Sequence, residues 1–294
     1  MPKITCYGEV LWDVFPNHQK IGGAPLNVAL RLQSFGNDVS MISSVGNDEL
    51  GKQLLKYMVD NGLNTDAIQI TNSFITGKVQ VTLNEKGSAS YNINFPSAWD
   101  YIFLNDTLID IVKESDAFVF GSLATRNNIS KNTLFELLNY SKFKIFDLNL
   151  RPPNYTKEIL IDLMNKADFI KFNDDELLEA SRYLGSKYRS LEQNIRFVSQ
   201  KTNTKFICVT KGSHGAALFY DDKFFYNSGY FIKVVDTVGA GDSFLASLIS
   251  QLLNKAHPQE AIDFACAVGA MVAQSEGANP VLSPQDIDTF MHPE

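Results

Sequence analysis

The chain has 294 residues, 45% hydrophobic, 12% aromatic and 20% charged. That composition can build a sizeable core and excludes disordered and fibrous classes. With 26 Lys and Arg against 33 Asp and Glu, the net charge is −7. This argues against a nucleic-acid or anionic-membrane partner, while an anionic substrate in a locally positive site stays open.

Short apolar runs alternate with longer amphipathic ones, which predicts a largely parallel sheet covered by helices. In chain order, strands are expected over residues 3–10, 39–45, 117–121, 144–148, 169–172 and 206–210. A helix over 25–35 would open with Pro25 in its first turn and close at Gly36. A second, over 48–61, would carry Leu50, Leu54 and Met58 on one face. Residues 241–255 and 258–275 read as two long, mostly buried helices. Residues 76–83 and 90–95 break the alternation, because only the turn-like Asn84-Glu85-Lys86-Gly87-Ser88 separates them. They predict a hairpin standing off the main sheet. With residues 15–22 it would form a small lid.

Length alone allows about two domains. Without repeats, low-complexity tracts or linkers, one domain over 1–294 is expected, with a lid from about 12–24 and 74–100. Cys6, Cys208 and Cys266 lie far apart and form no C-x-x-C pair, so neither a zinc site nor a disulfide framework is expected. The amino-terminal residues lack a signal-peptide pattern. No apolar run reaches the roughly 18 residues that suit a membrane span. A cytoplasmic address is the expectation.

The sharpest motif is Asp236-Thr237-Val238-Gly239-Ala240-Gly241-Asp242-Ser243-Phe244, just before a predicted helix. Small residues let backbone approach a ligand, and free N–H groups at a helix start attract an anion. A carboxylate beside a phosphate makes sense if Asp242 takes the proton of a hydroxyl that attacks it. The helix end is expected to depress its pKa. The alternative is a Gly-rich loop with Asp as an ordinary cap. A second motif, Gly22-Gly23-Ala24-Pro25-Leu26-Asn27-Val28-Ala29, carries no charge at its turn. Asn27 offers a donor and an acceptor, which suits a neutral polyol. Asp13, leaving the first strand, is either a turn residue or an acceptor for vicinal sugar hydroxyls.

These two motifs, in this order, resemble the ribokinase-like (PfkB) family of carbohydrate kinases. Residues 8–16 and Ser97-Ala98-Trp99-Asp100 are similar to its bacterial fructokinase branch. The resemblance implies a three-layer α/β/α fold with a mostly parallel central sheet and a small β-sheet lid. It implies Asp242 as catalytic base and the amides of Gly239, Ala240 and Gly241 as anion hole. It also implies Asp13, Gly23 and Asn27 as sugar contacts. Asn173 and Glu176 match a motif that organises Mg2+ and phosphate, partly through water; unaided, they read as a helix cap and its partner. Asp147, Asn149 and Arg151 match cleft positions, with Arg151 stabilising the transferring phosphoryl group and Asn149 on the substrate side. Otherwise Asp147 and Arg151 would be a surface ion pair. Thr210, Gly212 and Gly215 match a nucleotide loop, in which Lys211 and His214 read as solvated loop residues. Gly277 and Asn279 fall where the family binds adenine and, in some members, K+.

Two other motifs fail. Residues 46–53 nearly spell a phosphate-binding loop, but end in Gln53 where a hydroxyl is needed. Residues 239–244 lack the third glycine of a dinucleotide fingerprint. The expected activity is therefore ATP- and Mg2+-dependent phosphorylation of a free sugar, D-fructose to D-fructose 6-phosphate, in a homodimer joined through the lid. Ribose and 2-keto-3-deoxygluconate are alternative acceptors, a nucleoside is a more remote one, and a non-catalytic sugar-binding regulator is the rival from another class.

Overall fold

Strand parity decides the architecture. In the computed structural model, which describes residues 1–83 and 89–293, β1 (Lys3–Tyr7) runs up to a turn at Gly8. β2 (Leu11–Val14), β3 (Gln19–Gly22), α1 (Ala24–Ser34), β4 (Asp38–Gly46), α2 (Glu49–Asp60) and β5 (Ile68–Thr71) follow. β6 (Gly77–Leu83) and β7 (Ala89–Ile93) come next. Helices and strands then alternate through α3 (Asp106–Glu114), β8 (Ala117–Gly121), α4 (Asn128–Leu137), β9 (Lys144–Asp147), α5 (Lys157–Lys166) and β10 (Phe169–Asn173). After α6 (Asp174–Tyr183) and α7 (Leu191–Thr202) come β11 (Phe206–Thr210), β12 (Ala216–Tyr220) and β13 (Lys223–Asn227). α8 (Ala240–Leu253), α9 (Pro258–Ala273) and α10 (Pro284–Met291) are the last elements.

Nine strands form the main sheet, in the order β13-β12-β11-β10-β9-β8-β1-β4-β5. All pairings from β5 across to β11 are parallel, and β12 and β13 add an antiparallel edge. Successive side chains of a strand point to opposite faces. Cys6, Val119 and Cys208 therefore pack with Leu26 of α1, Leu54 of α2, Leu248 of α8 and Ile262 of α9. Their strand neighbours Tyr7, Phe118 and Ile207 pack with Leu108, Leu134, Leu163, Leu177 and Val198, one from each of α3 to α7. The result is the expected three-layer sandwich. Strands buried on both faces read as continuous apolar runs, which is why these were legible in the sequence.

Two expectations need correction. The single strand expected over 3–10 ends at Tyr7, and after residues 8–10 the chain leaves the main sheet. β2 instead joins a four-stranded sheet of order β3-β2-β6-β7, parallel to β6 and flanked by antiparallel pairs. The alternation also breaks a second time. Only the short turn Gly212–His214 separates β11 from β12, and Asp221 and Asp222, both at positive φ, turn β12 into β13. Leu11 and Val79 form the core of the small sheet, with Phe15 and Ile93 against it. The expected turn at 84–88 lies outside the described residues. No helix among those described is long and apolar enough to cross a membrane.

Candidate active site

The carboxyl ends of the parallel strands carry the polar residues, where open α/β sheets bind ligands. Gly239 precedes α8 at φ +75°, and a Cβ there would stand 2.6 Å from Ala278 Cα. Only glycine fits such a left-handed, crowded position. It delivers Asp242 into the first turn of α8. Asn27 Nδ2 donates to Asp242 Oδ2 at 2.8 Å, and Asn279 Nδ2 donates to Asn27 Oδ1 at 3.0 Å. The amide of Ala240 bends back to Thr237 O at 3.3 Å, whereas those of Gly239 and Gly241 find no backbone acceptor among the described residues.

The expected depression of the Asp242 pKa does not occur. Withdrawal from water raises it to about 6, the charge of Asp147 adds to the rise, and Asn27, Lys171 and Arg151 oppose it. Desolvation and a like charge outweigh the helix end. The carboxylate is thus a stronger base than its place in the helix predicts, yet still ionised at neutral pH.

Asp147 does not pair with Arg151. Its partner is Lys171, whose Nζ lies 3.1 Å from Asp147 Oδ1 with both side chains buried. The two residues stand side by side on β9 and β10. A Cβ on Gly241 would sit 3.5 Å from the same Nζ, so this ammonium borders the anion hole. Burial pulls the Lys171 pKa down, but Asp147, Glu176 and Asp242 more than reverse it and keep the group charged. Lys171 was not anticipated. Its signal was a lone cation inside the apolar run Phe169-Ile170-Lys171-Phe172.

Asn173 and Glu176 form a reciprocal cap. Asn173 Oδ1 accepts from Glu176 N at 2.8 Å, and Glu176 Oε2 accepts from Asn173 N at 2.8 Å. Glu176 Oε1 also accepts from Leu150 N at 2.9 Å, which ties the loop after β9 to the start of α6. Among the described residues no three metal-binding side chains cluster. Each Glu176 oxygen keeps one lone pair, which leaves the carboxylate able to face a divalent ion or its water.

On the opposite wall, Asp13 faces Lys20 across the β2–β3 pair. Burial raises its pKa to about 6, against Arg151 and Lys20. Gly23, at φ +111°, caps α1 so closely over Glu9 that a Cβ would stand 2.5 Å from Glu9 O. Glu9 itself was not anticipated. It is buried, its pKa is pushed up to about 7 by desolvation, and its Oε2 lacks a partner among the described residues. Arg151 is exposed, and its charge acts on Asp13, Glu9 and Asp242. Asn149, at φ +39°, lines a narrow recess with Glu9 and Asp147.

A cavity of about 730 Å³ opens beside this cluster, lined by Thr210, Gly212, Gly215, Ala240 and Gly241. Its far wall, Phe231, Ile232 and Val234 with Cys266 and Gly269, was not foreseen. Lys211 is not on its lining, whereas His214 is. Asn173, Gly277 and Asn279 lie off it as well. Gly277 N donates to Asp236 Oδ2 at 3.3 Å, and Asn279 reaches Asn27. Lys20 Nζ, 3.3 Å from the same Asp236 oxygen, links the small sheet to the loop before α8.

This geometry has relatives. "Probable fructokinase-5" of Arabidopsis thaliana is 28% identical over 321 residues, covering 99% of this chain and 97% of its own. An uncharacterized sugar kinase of Pyrococcus horikoshii, solved in complex with ATP, is 27% identical with TM-score 0.82, over 94% of this chain and 93% of that one. A double-mutant fructokinase of Vibrio cholerae, solved with fructose, ADP and a potassium ion, shares the fold at TM-score 0.85 and 23% identity, over 99% of both chains. The model of the pfkB family carbohydrate kinases matches residues 1–285, and the chain belongs to that family.

Proposed function

We propose that this protein transfers the γ-phosphate of ATP to the primary hydroxyl of D-fructose and releases D-fructose 6-phosphate and ADP. The observation that carries the reading is Asp242: a half-buried carboxylate with a raised pKa, at the amino end of α8, held by Asn27 and next to Ala240 and Gly241, which line the large cavity. The sugar hydroxyl gives its proton to Asp242 as its oxygen bonds to the γ-phosphorus. The bond from that phosphorus to the β–γ bridging oxygen breaks, and ADP leaves with the electron pair.

The remaining residues position and neutralise. Asp13 accepts hydrogen bonds from vicinal sugar hydroxyls, and Gly23 and Asn149 shape the sugar side. Asn27 holds the base and faces the sugar. The amides of Gly239, Ala240 and Gly241, with Arg151 and Lys171, offset charge on the transferring group, which a loose transition state chiefly requires. Thr210, Gly212 and Gly215 take the nucleotide, together with Asn173, Gly277 and Asn279 at its margins. Glu176, through water, would help hold Mg2+, which would supply further neutralisation of phosphate charge. The loop at 277–279 is the place for K+ where the enzyme uses it.

In this reading residues 1–294 act as one cytoplasmic domain, and the small sheet is a lid that keeps out water, the competing acceptor. Lids of two subunits pair in a homodimer. Coupled release of ADP across a sugar panel tests the assignment, with the product position read by NMR. Ribose preferred tenfold over fructose would refute the choice of sugar, as would the same preference for 2-keto-3-deoxygluconate. Binding of ATP and fructose without any product would refute catalysis.

A further inference from the structure

A second cavity, of about 420 Å³, lies beside the end of the small sheet, between the loops that follow β8 and β9. Phe95, Arg126, Asn128, Lys131, Asn154 and Tyr155 are on its wall, and no Asp or Glu lines it among the described residues. It shares no lining residue with the large cavity.

Arg126 is the unusual element. Its side chain is 4% exposed. Nε and Nη2 donate to Asp100 Oδ1 and Oδ2 at 2.7 Å each, and Nη2 also donates to Asn94 O at 2.6 Å. That uses three of the five N–H groups of the fork. Nη1, with the other two, has no partner among the described residues. Burying unmet donors is costly. The guanidinium is held over the fully buried ring of Trp99 at 4.0 Å and under Phe95 at 5.2 Å. Phe95 is 60% exposed and, like Arg126, lines the cavity.

The surroundings favour an anion independently. Lys131 Nζ donates only to the neutral Asn128 Oδ1, at 2.7 Å, and has no acidic partner among the described residues. α4 starts at Asn128 and Thr156 caps α5, so two helix N-termini meet the same cavity. Each of these two N-termini carries partial positive charge. Glu158, in the first turn of α5, is exposed and off the wall. Tyr155, Pro153 and Ile159 give an apolar side wide enough for a carbon ring.

We infer that this cavity is a binding site for a sugar phosphate, with its phosphate on Arg126 Nη1 and Lys131 and its ring against Phe95 and Tyr155. The inference stands on these residues alone and does not depend on the catalytic reading. The test is calorimetric titration, without nucleotide, with inorganic phosphate, fructose 6-phosphate and AMP. Lys131→Glu is expected to weaken inorganic phosphate and fructose 6-phosphate by at least about tenfold, the scale of one charge-assisted hydrogen bond. Its affinity for free fructose should match the wild type. Arg126→Gln should act likewise; if it fails to fold, Lys131→Glu and Asn128→Asp still decide. Unchanged phosphate affinity in Lys131→Glu would overturn the site. So would fructose 6-phosphate binding that is lost in Asp13→Asn but kept in Lys131→Glu, because it would then belong to the other cleft. AMP affinity equal to that of the sugar phosphate, and weakened as much by Lys131→Glu, would overturn the ligand class. Absence of turnover with every sugar would refute the kinase reading and leave this site standing.

Discussion

Lys171 and Asp147 form a buried ion pair, 3.1 Å apart on adjacent parallel strands, at the edge of the anion hole. Removing one member strands the other charge away from water. Lys171→Met should therefore destabilise the fold by about 3–5 kcal/mol, whereas the double variant with Asp147→Leu should recover most of that loss. Chemical denaturation of the three variants measures it. A single variant as stable as the wild type would show the pair to be solvated.

The raised pKa of Asp242 sets an acid limb. The ionised form is the base, so activity should fall tenfold per unit as pH drops below about 6. A profile of kcat/KM between pH 4 and 8 reads it. A plateau continuing below pH 5 would remove Asp242 from the role of base. Asp242→Ala should bind sugar nearly normally and lower kcat by roughly 10²–10⁴.

The same shift has a sign for stability. The folded pKa of Asp242 lies above its unfolded value, so the native state holds the proton more tightly. Its contribution is fully present below the unfolded pKa and is lost as pH rises through about 6. Asp242→Asn removes the ionised group while keeping its shape. Relative to the wild type it should be more stable at pH 8 than at pH 4, and the difference in Tm between the two proteins, followed with pH, checks this. A difference that is flat across this range would contradict it.

Asn27 holds Asp242 Oδ2 and is itself held by Asn279. Asn27→Ala should free the base and lower kcat by about 10²-fold, the scale of a misplaced reacting group. Asn279→Ala, one step removed, should have a smaller effect in the same direction. Steady-state kinetics of both variants would expose an inverted order.

Lys20 and Asp236 make a partly solvated bridge from the small sheet to the loop before α8. Lys20→Met should change stability by no more than about 1 kcal/mol, as exposed pairs do. If the small sheet closes over the sugar, KM for fructose should rise while thermal melting barely moves. A large loss of Tm would make the bridge structural.

The parts of this molecule that could be read from the sequence are those with local signals. Strands such as Phe206–Thr210 are apolar on both faces, and helices such as α8 and α9 are largely apolar along their length. The motif around Asp242 announces its own helix start. The antiparallel edge at β12–β13 was missed because a turn through Asp221 and Asp222 has no glycine to mark it. Lys171 and Glu9 were missed because each looks like an isolated charge near an apolar run. Only the register of β9 against β10 shows that Lys171 answers Asp147. The Asp242 pKa was misjudged for the same reason: the helix end is local, whereas the desolvating walls come from distant parts of the chain.

Arg31 in α1 donates to Ser243 Oγ at 3.2 Å and to Pro280 O at 2.9 Å, although more than 200 residues separate it from either. During synthesis the first helix therefore waits for nearly the whole polypeptide before its buried guanidinium is answered. One layer of the sandwich, α3 to α7, is complete long before the other, which α8 and α9 finish. A ribosome-bound chain ending before residue 236 would expose a greasy, half-roofed sheet, so chaperone capture should peak late in translation and end when the carboxyl-terminal helices emerge.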